Sequence, residues 1–246
     1  MSKSEPVAFY DRYSSRWLPY RQLWPGLDLR ERKVLELLQA GSLTGSVLDI
    51  GCGDALLGKY LCDQPGIDYV GLDASPRTLE LARANLLNCE RYSMVQCDAL
   101  KLAFDSNKFD ILILGELVEH FQFPHLIAAE ARRVARPGAR VIVTTPNYAS
   151  LCHRVGLFLR GRIAFDVEEH VRLFTYRSFR EFLIANGFRP RKIAGVFYFI
   201  DMPWPLIMLK SSGRPLIQRI QAWEHRIMQS FPGLAGWSVA ECVVEK

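Results

Sequence analysis

The sequence predicts a doubly wound α/β fold, with helices on both faces of a mostly parallel sheet. Three observations support it. Between residues 46 and 145, short β-rich runs alternate with helix-patterned segments, the order that parallel strands joined by crossover helices produce. The runs are apolar nearly throughout, as strands buried on both faces are. A chain of 246 residues also has room for one large α/β domain with a small appendage, but not for two catalytic domains.

The parallel strands are expected at Ser46–Ile50, Asp68–Leu72, Tyr92–Gln96, Phe109–Leu114 and Ala139–Thr144. Helices are expected between them at Ala55–Cys62, Pro76–Leu87 and Pro124–Ala135. Ser75 caps the second with Pro76 at its first position, and Arg136-Pro137-Gly138 stops the third. Ahead of the sheet, Leu29–Ala40 reads as an amphipathic helix within an N-terminal helical cap spanning 1–40, leaving 41–246 as the main domain. Beyond Pro146 the alternation breaks down. Helical patterns at Ala149–Leu159 and Tyr176–Asn186 precede two more strands, Ile193–Ile200 and Ser238–Val244, which make seven in all. An insertion precedes the last strand, and residues 146–175 and 201–235 read as substrate or lid segments.

Hydrophobic residues at 49% and charged residues at 23% are ordinary for a globular domain, so the chain should fold. The net charge of +5 is too small for a dedicated nucleic-acid binder. Six scattered cysteines without a Cys-x-x-Cys pair argue against a zinc site and a disulfide framework, and a reducing, cytoplasmic location is expected. No stretch approaches the ~20 apolar residues needed to span a bilayer.

In open α/β sheets, ligands bind beyond the carboxyl ends of the strands, where Asp49-Ile50-Gly51-Cys52-Gly53-Asp54 sits. The glycines let backbone approach a ligand closely, and the flanking carboxylates suit one carrying positive charge. Pyrophosphate would be repelled there, and Leu56 stands where a dinucleotide fingerprint needs its third glycine. Asp73 ends the second strand, placed to accept from both hydroxyls of a ribose. Asp98 follows the third, placed to accept an adenine amino group beside the small Ala99. Loop or helix capping would explain any one of these aspartates, but not all three around a Gly-x-Gly turn.

VLDIGCGDALLG, GLDAS and CDAL resemble, in order, three motifs of the class I S-adenosylmethionine-dependent methyltransferases. The resemblance continues through FDILILGELVEHF and VARPGARVIVTTPN, covering residues 46 to 147, and HVRLFTYRSFREFLIANGF is similar to the segment that follows in many small-molecule members. It implies a Rossmann-like seven-stranded sheet and S-adenosylmethionine as cofactor. It also implies cofactor contacts from Asp49, Gly51, Cys52, Gly53, Asp73, Ala74, Asp98, Ala99 and Gly115.

A sulfonium methyl is already activated, so the protein must mainly align the acceptor, exclude water and take up a proton from a hydroxyl. The loop Gly115-Glu116-Leu117-Val118-Glu119-His120-Phe121 opens toward the cofactor face, and His120 is the candidate general base, with a packing role as the competing reading. His170 joins it if the fold brings the two together. Glu116, Glu119, His120 and His170 also form an oxygen and nitrogen set suited to a divalent cation, against the alternative of solvated or arginine-paired carboxylates. The set is similar to that of ubiquinone-pathway O-methyltransferases and small-RNA 2′-O-methyltransferases.

The expected acceptor is a small molecule with a hydroxyl, whether aromatic, glycosidic or lipid-linked. Aromatics of the cap (Phe9, Tyr10, Tyr13, Trp17, Tyr20, Trp24) with Phe158 and Phe165 could wall its pocket or simply pack. The apolar, Pro-broken Phe197–Leu209 and the basic Lys210, Arg214, Arg219 and Arg226 after it suit a lid or dimer contact, or an interfacial element giving peripheral membrane contact. Two other classes compete: an RNA 2′-O-methyltransferase, which lacks a recognised RNA-binding module, and a cofactor-binding protein without catalysis, which the intact strand-end acids oppose.

Overall fold

A computed structural model describes residues 25–41, 43–161, 170–196, 226, 227 and 230–246. Its elements run α1 (Pro25–Gln39), β1 (Gly45–Ile50), α2 (Leu56–Cys62), β2 (Ile67–Asp73), α3 (Pro76–Asn85), β3 (Tyr92–Gln96), β4 (Phe109–Gly115), α4 (Pro124–Val134), β5 (Ala135–Pro146), α5 (Leu151–Arg160), α6 (Tyr176–Ala185), β6 (Phe188–Val196) and β7 (Trp237–Val244). Short 3₁₀ turns lie at Val118–His120 and Pro232–Leu234. The sheet has the order β3-β2-β1-β4-β5-β7-β6, parallel except for β7, which is antiparallel to both β5 and β6. β1 lies between β2 and β4, so the strand order reverses beside it and a crevice opens at its carboxyl end.

Alternation along the strands sorts the core into two layers. Val47, Tyr69, Ile111, Ile113, Ile142 and Val239 pack against Val34, Leu37 and Leu38 of α1 and Leu57 and Leu61 of α2. Leu48, Ile50, Leu112, Leu114, Val141 and Ala240 pack instead with Ile127 and Ala131 of α4 and Phe179 and Leu183 of α6. α1 therefore shares the core of the sheet. Arg140 on β5 holds its last turn, donating to the carbonyls of Leu37 and Leu38 while pairing with Glu241 of β7 at 2.9 Å. These bonds satisfy carbonyls that the helix end leaves unpaired.

Several boundaries differ from the expectation. β5 begins at Ala135, which already pairs with Phe109, and Arg136-Pro137-Gly138 forms an irregular stretch before Arg140 meets Ile111. Gly138 there adopts φ +77°, which glycine tolerates without cost. β6 starts at Phe188, directly after Gly187 at φ +77° has turned the chain out of α6. Ala55 stands outside α2 in the left-handed region, at φ 53°. Residues 1–24 of the expected cap, Phe165, the strand continuation at 197–200 and nearly all of 201–229 lie outside the described residues. Among those described, no helix is long and apolar enough to cross a membrane.

Candidate active site

The turn after β1 is wound by three left-handed residues, Gly51 (φ +73°), Gly53 (φ +57°) and Ala55 (φ 53°). A Cβ on Gly51 would come within 2.9 Å of Leu117 Cδ1, so the close approach of the β1 and β4 loops requires glycine there. The turn's amides are committed internally. Gly51 and Cys52 both donate to the Leu72 carbonyl, at 2.7 and 2.9 Å, and Gly53 donates to Asp73 Oδ2 at 3.2 Å. A phosphate-binding turn presents such amides to its ligand; this one spends them on β2.

Asp73 Oδ1 accepts from Ser75 N–H at 2.9 Å, so the carboxylate bridges the glycine turn and the start of α3, with Ala74 between. Asp98 is exposed and holds its loop by accepting from Leu100 N–H at 2.9 Å, beside the buried Ala99. Asp49 is only 4% exposed and accepts from the Tyr69 hydroxyl at 2.8 Å. Burial pushes its carboxyl up to about 7; the Tyr69 bond offsets part of that, and the negative charges of Asp73, Glu31 and Asp54 add to it.

The loop after β4 separates its two glutamates. Glu116 adopts φ 50°, and its N–H donates to both the carbonyl and the hydroxyl of Thr144, opposite Gly115 in the sheet register. Thr144 Oγ1 donates back to Glu116 Oε1 at 2.7 Å, while Trp237 Nε1 (2.7 Å) and Arg30 (3.2 Å) meet Oε2. Glu116 thus ties α1, β5 and β7 together, and it is not part of the candidate cation cluster that the sequence reading gave it.

Glu119, His120 and His170 do come together. Each offers a ligand atom, and the three atoms lie within 4.8 Å of one another. The two imidazoles meet edge to face, with ring centroids 4.9 Å apart. Glu119 is fully buried, and neither carboxylate oxygen has a hydrogen-bond partner of normal geometry among the described residues. Burial pushes its carboxyl well above the usual range and the Glu116 charge adds to this; the local backbone, Arg30 and Thr145 offset only part. A buried carboxylate without partners calls for a proton or a cation. Two imidazoles and one carboxylate match the preferences of a divalent first-row metal, so the donor set fits such an ion.

Backbone bonds bring these residues into one place. Arg172 N–H donates to the Glu119 carbonyl at 2.9 Å and Tyr148 N–H to the Phe174 carbonyl at 2.8 Å, stitching the His170 segment to the 3₁₀ turn and to the end of β5. Asn147, fully buried, donates to the Gly233 and Ala235 carbonyls and accepts from Tyr176 N–H. The Tyr148 hydroxyl lies 2.7 Å from His170 Nδ1. Nothing in the sequence distinguishes Tyr69, Tyr148, Arg30 or Trp237 for such positions; the only signal is that Tyr148 follows the fifth strand closely.

Residues 48–143 match the family described as methyltransferase domain. The chain is 31% identical over 147 residues to the ubiquinone biosynthesis O-methyltransferase of Alkalilimnicola ehrlichii, covering 57% of this chain and 59% of that protein. To the enzyme of the same name from Coxiella burnetii it is 27% identical over 204 residues, 80% of this chain and 87% of that protein. The fold is shared with the N-methyltransferase NodS of Bradyrhizobium japonicum, solved with S-adenosyl-L-homocysteine, at a TM-score of 0.60 and 13% identity, covering 91% of this chain and 89% of that one. The reversal point beside β1, the non-phosphate glycine turn and these matches agree: residues 48–143 form a methyltransferase domain of the S-adenosylmethionine-dependent kind, in a fold shared with such enzymes.

Proposed function

We propose that this chain transfers the methyl group of S-adenosylmethionine to a hydroxyl oxygen of a small-molecule acceptor held over Glu119, His120 and His170. The convergence of those three side chains within 4.8 Å, at the strand end next to the glycine turn, carries the reading. The O-methyltransferase names of the ubiquinone and tocopherol relatives support oxygen as the accepting atom.

In this reading Asp73 accepts from the ribose hydroxyls, Asp98 and Ala99 receive the adenine, and Gly51, Cys52, Gly53, Ala74 and Gly115 line the backbone of the cofactor groove. Asp49 supplies negative charge near the amino acid end. The acceptor oxygen attacks the methyl carbon; the new O–C bond forms as the S–C bond breaks, and its electron pair returns to sulfur, giving S-adenosylhomocysteine. Without a cation the hydroxyl proton passes to His120, a role imidazole suits because it titrates near neutrality. With a divalent cation, Glu119, His120 and His170 would hold it, and its positive charge would lower the hydroxyl pKa and orient the acceptor, His120 then serving as ligand and solvent taking the proton. The segments at 146–175 and 201–235 would wall the acceptor.

Incubation with a small-molecule extract and cofactor carrying a ¹³C methyl tests the reading. Product spectra should show the label on a methoxy carbon; label on nitrogen or carbon overturns the oxygen assignment. Transfer should also fall on chelation and in Glu119→Ala, and indifference to both removes the cation.

A further inference from the structure

We propose that Tyr148 is a positioning residue that sets the tautomer of His170, accepting its Nδ1–H so that Nε2 carries the lone pair used at the Glu119–His120–His170 cluster. The proposal rests on the function assigned above to that cluster. A neutral imidazole has one donor and one acceptor nitrogen, and the partner of one decides what the other can do. Nδ1 of His170 is 2.7 Å from the Tyr148 hydroxyl, so ligation or proton uptake by this ring runs through Nε2.

A phenol can donate or accept, and the role assigned to the cluster decides between them. An Nε2 that ligates or takes up a proton must carry the lone pair, which leaves the proton on Nδ1, facing the Tyr148 hydroxyl 2.7 Å away.

Tyr148 is itself held, as a positioning group must be. Its N–H donates to the Phe174 carbonyl at 2.8 Å, which locks its backbone to the segment that carries His170. Its ring lies 5.0 Å from that of the buried His153, whose Nδ1 is 2.6 Å from Ser150 Oγ at the start of α5. Metal-binding histidines commonly have their second nitrogen fixed by a carboxylate or carbonyl, and removing that partner costs about 10–100-fold in metal affinity or activity. Here a phenol takes that position, which orients the ring without adding negative charge.

Two measurements test this. Long-range ¹H–¹⁵N spectra of the metal-free protein, with His170 identified by its loss in His170→Gln, should show the Nδ1–H tautomer in the wild type and a mixture in Tyr148→Phe. Calorimetry with Mn²⁺ should show Tyr148→Phe binding about 10–100-fold more weakly, with S-adenosylhomocysteine affinity unchanged as proof of an intact fold. An Nε2–H tautomer in the wild type overturns the proposal, as does a Tyr148→Phe protein with unaltered spectrum and Mn²⁺ affinity. Should the wild type take up no Mn²⁺, the cation falls from the proposed function while the tautomer still decides the role of Tyr148. If Tyr148→Phe does not fold, the wild-type spectrum alone decides.

Discussion

The Tyr69 hydroxyl donates to Asp49 Oδ2 at 2.8 Å, reaching from the middle of β2 to the carboxyl end of β1. It gives a buried carboxylate one strong partner and leaves its pKa at about 7, within reach of physiological pH. If the cationic end of the cofactor selects the ionised form, binding must strengthen as pH rises through that value. Affinity should increase about tenfold between pH 6 and pH 8, with a proton released on binding at the lower pH. Calorimetry in buffers of different ionisation enthalpy measures both. Asp49→Asn should bind weakly and without pH dependence, and Tyr69→Phe should move the transition to higher pH, because the lost hydrogen bond was favouring the ionised form.

Asp73 bridges the glycine turn to α3, and in the proposed function it also accepts from the ribose. Removing two charge-assisted hydrogen bonds at about 1.5 kcal/mol each should weaken S-adenosylhomocysteine about 100-fold in Asp73→Ala. Isothermal titration reads this directly, and an affinity equal to that of the wild type would refute the ribose assignment.

Glu119 should oppose folding when no cation is present. Its carboxyl is raised in the folded state, so its ionisation destabilises the protein progressively as pH climbs above the unfolded value of 4.5. At neutral pH Glu119→Gln should therefore raise stability by about 1–3 kcal/mol in chelator. Mn²⁺ should raise the melting temperature of the wild type and leave that of the variant unmoved. Thermal unfolding with and without Mn²⁺ separates the two effects.

Gly58 on α2 faces the Tyr69 ring, and a Cβ there would come within 2.5 Å of Tyr69 Cζ. Tyr69 is 1% exposed and its hydroxyl is bonded to Asp49, so a shift of the ring disturbs that bond. Gly58→Ala should lose about 1–3 kcal/mol by overpacking and break the Tyr69–Asp49 bond in the same step. Urea unfolding gives the first number, and loss of the pH-dependent cofactor binding reports the second.

Much of the fold was legible because it is local. The apolar runs of β1 to β5 and the Ser75-Pro76 cap are properties of short segments, and the glycine turn with Asp49, Asp73 and Asp98 depends on spacing along successive strands. Glu116 and Glu119 show where such reading stops. They lie in one loop three positions apart and look equivalent, yet φ 50° at Glu116 turns its side chain toward Arg30 and Trp237 while Glu119 meets the histidines. Partners as remote as Trp237 depend on how the sheet closes, and Tyr148 meets His170 only because the backbone bonds at Phe174 and Glu119 fold two loops over a third. The early start of β5 escaped for a similar reason: Pro137 and Gly138 punctuate any local pattern, and only the pairing of Ala135 with Phe109 makes that stretch a strand.

The antiparallel insertion of β7 between β5 and β6 has a consequence for the order of assembly. Residues 237–244 occupy the place between those two strands and pair with both. A nascent chain that has emerged through β6 can pair β1 to β5 but holds two unpaired strand edges facing each other, surfaces prone to wrong association. The same late strand brings Trp237 to Glu116. The loop bearing Glu116 and Glu119 is therefore secured only after residues 237–244 have been made, whereas the glycine turn after β1 draws on β2 alone and can form well before.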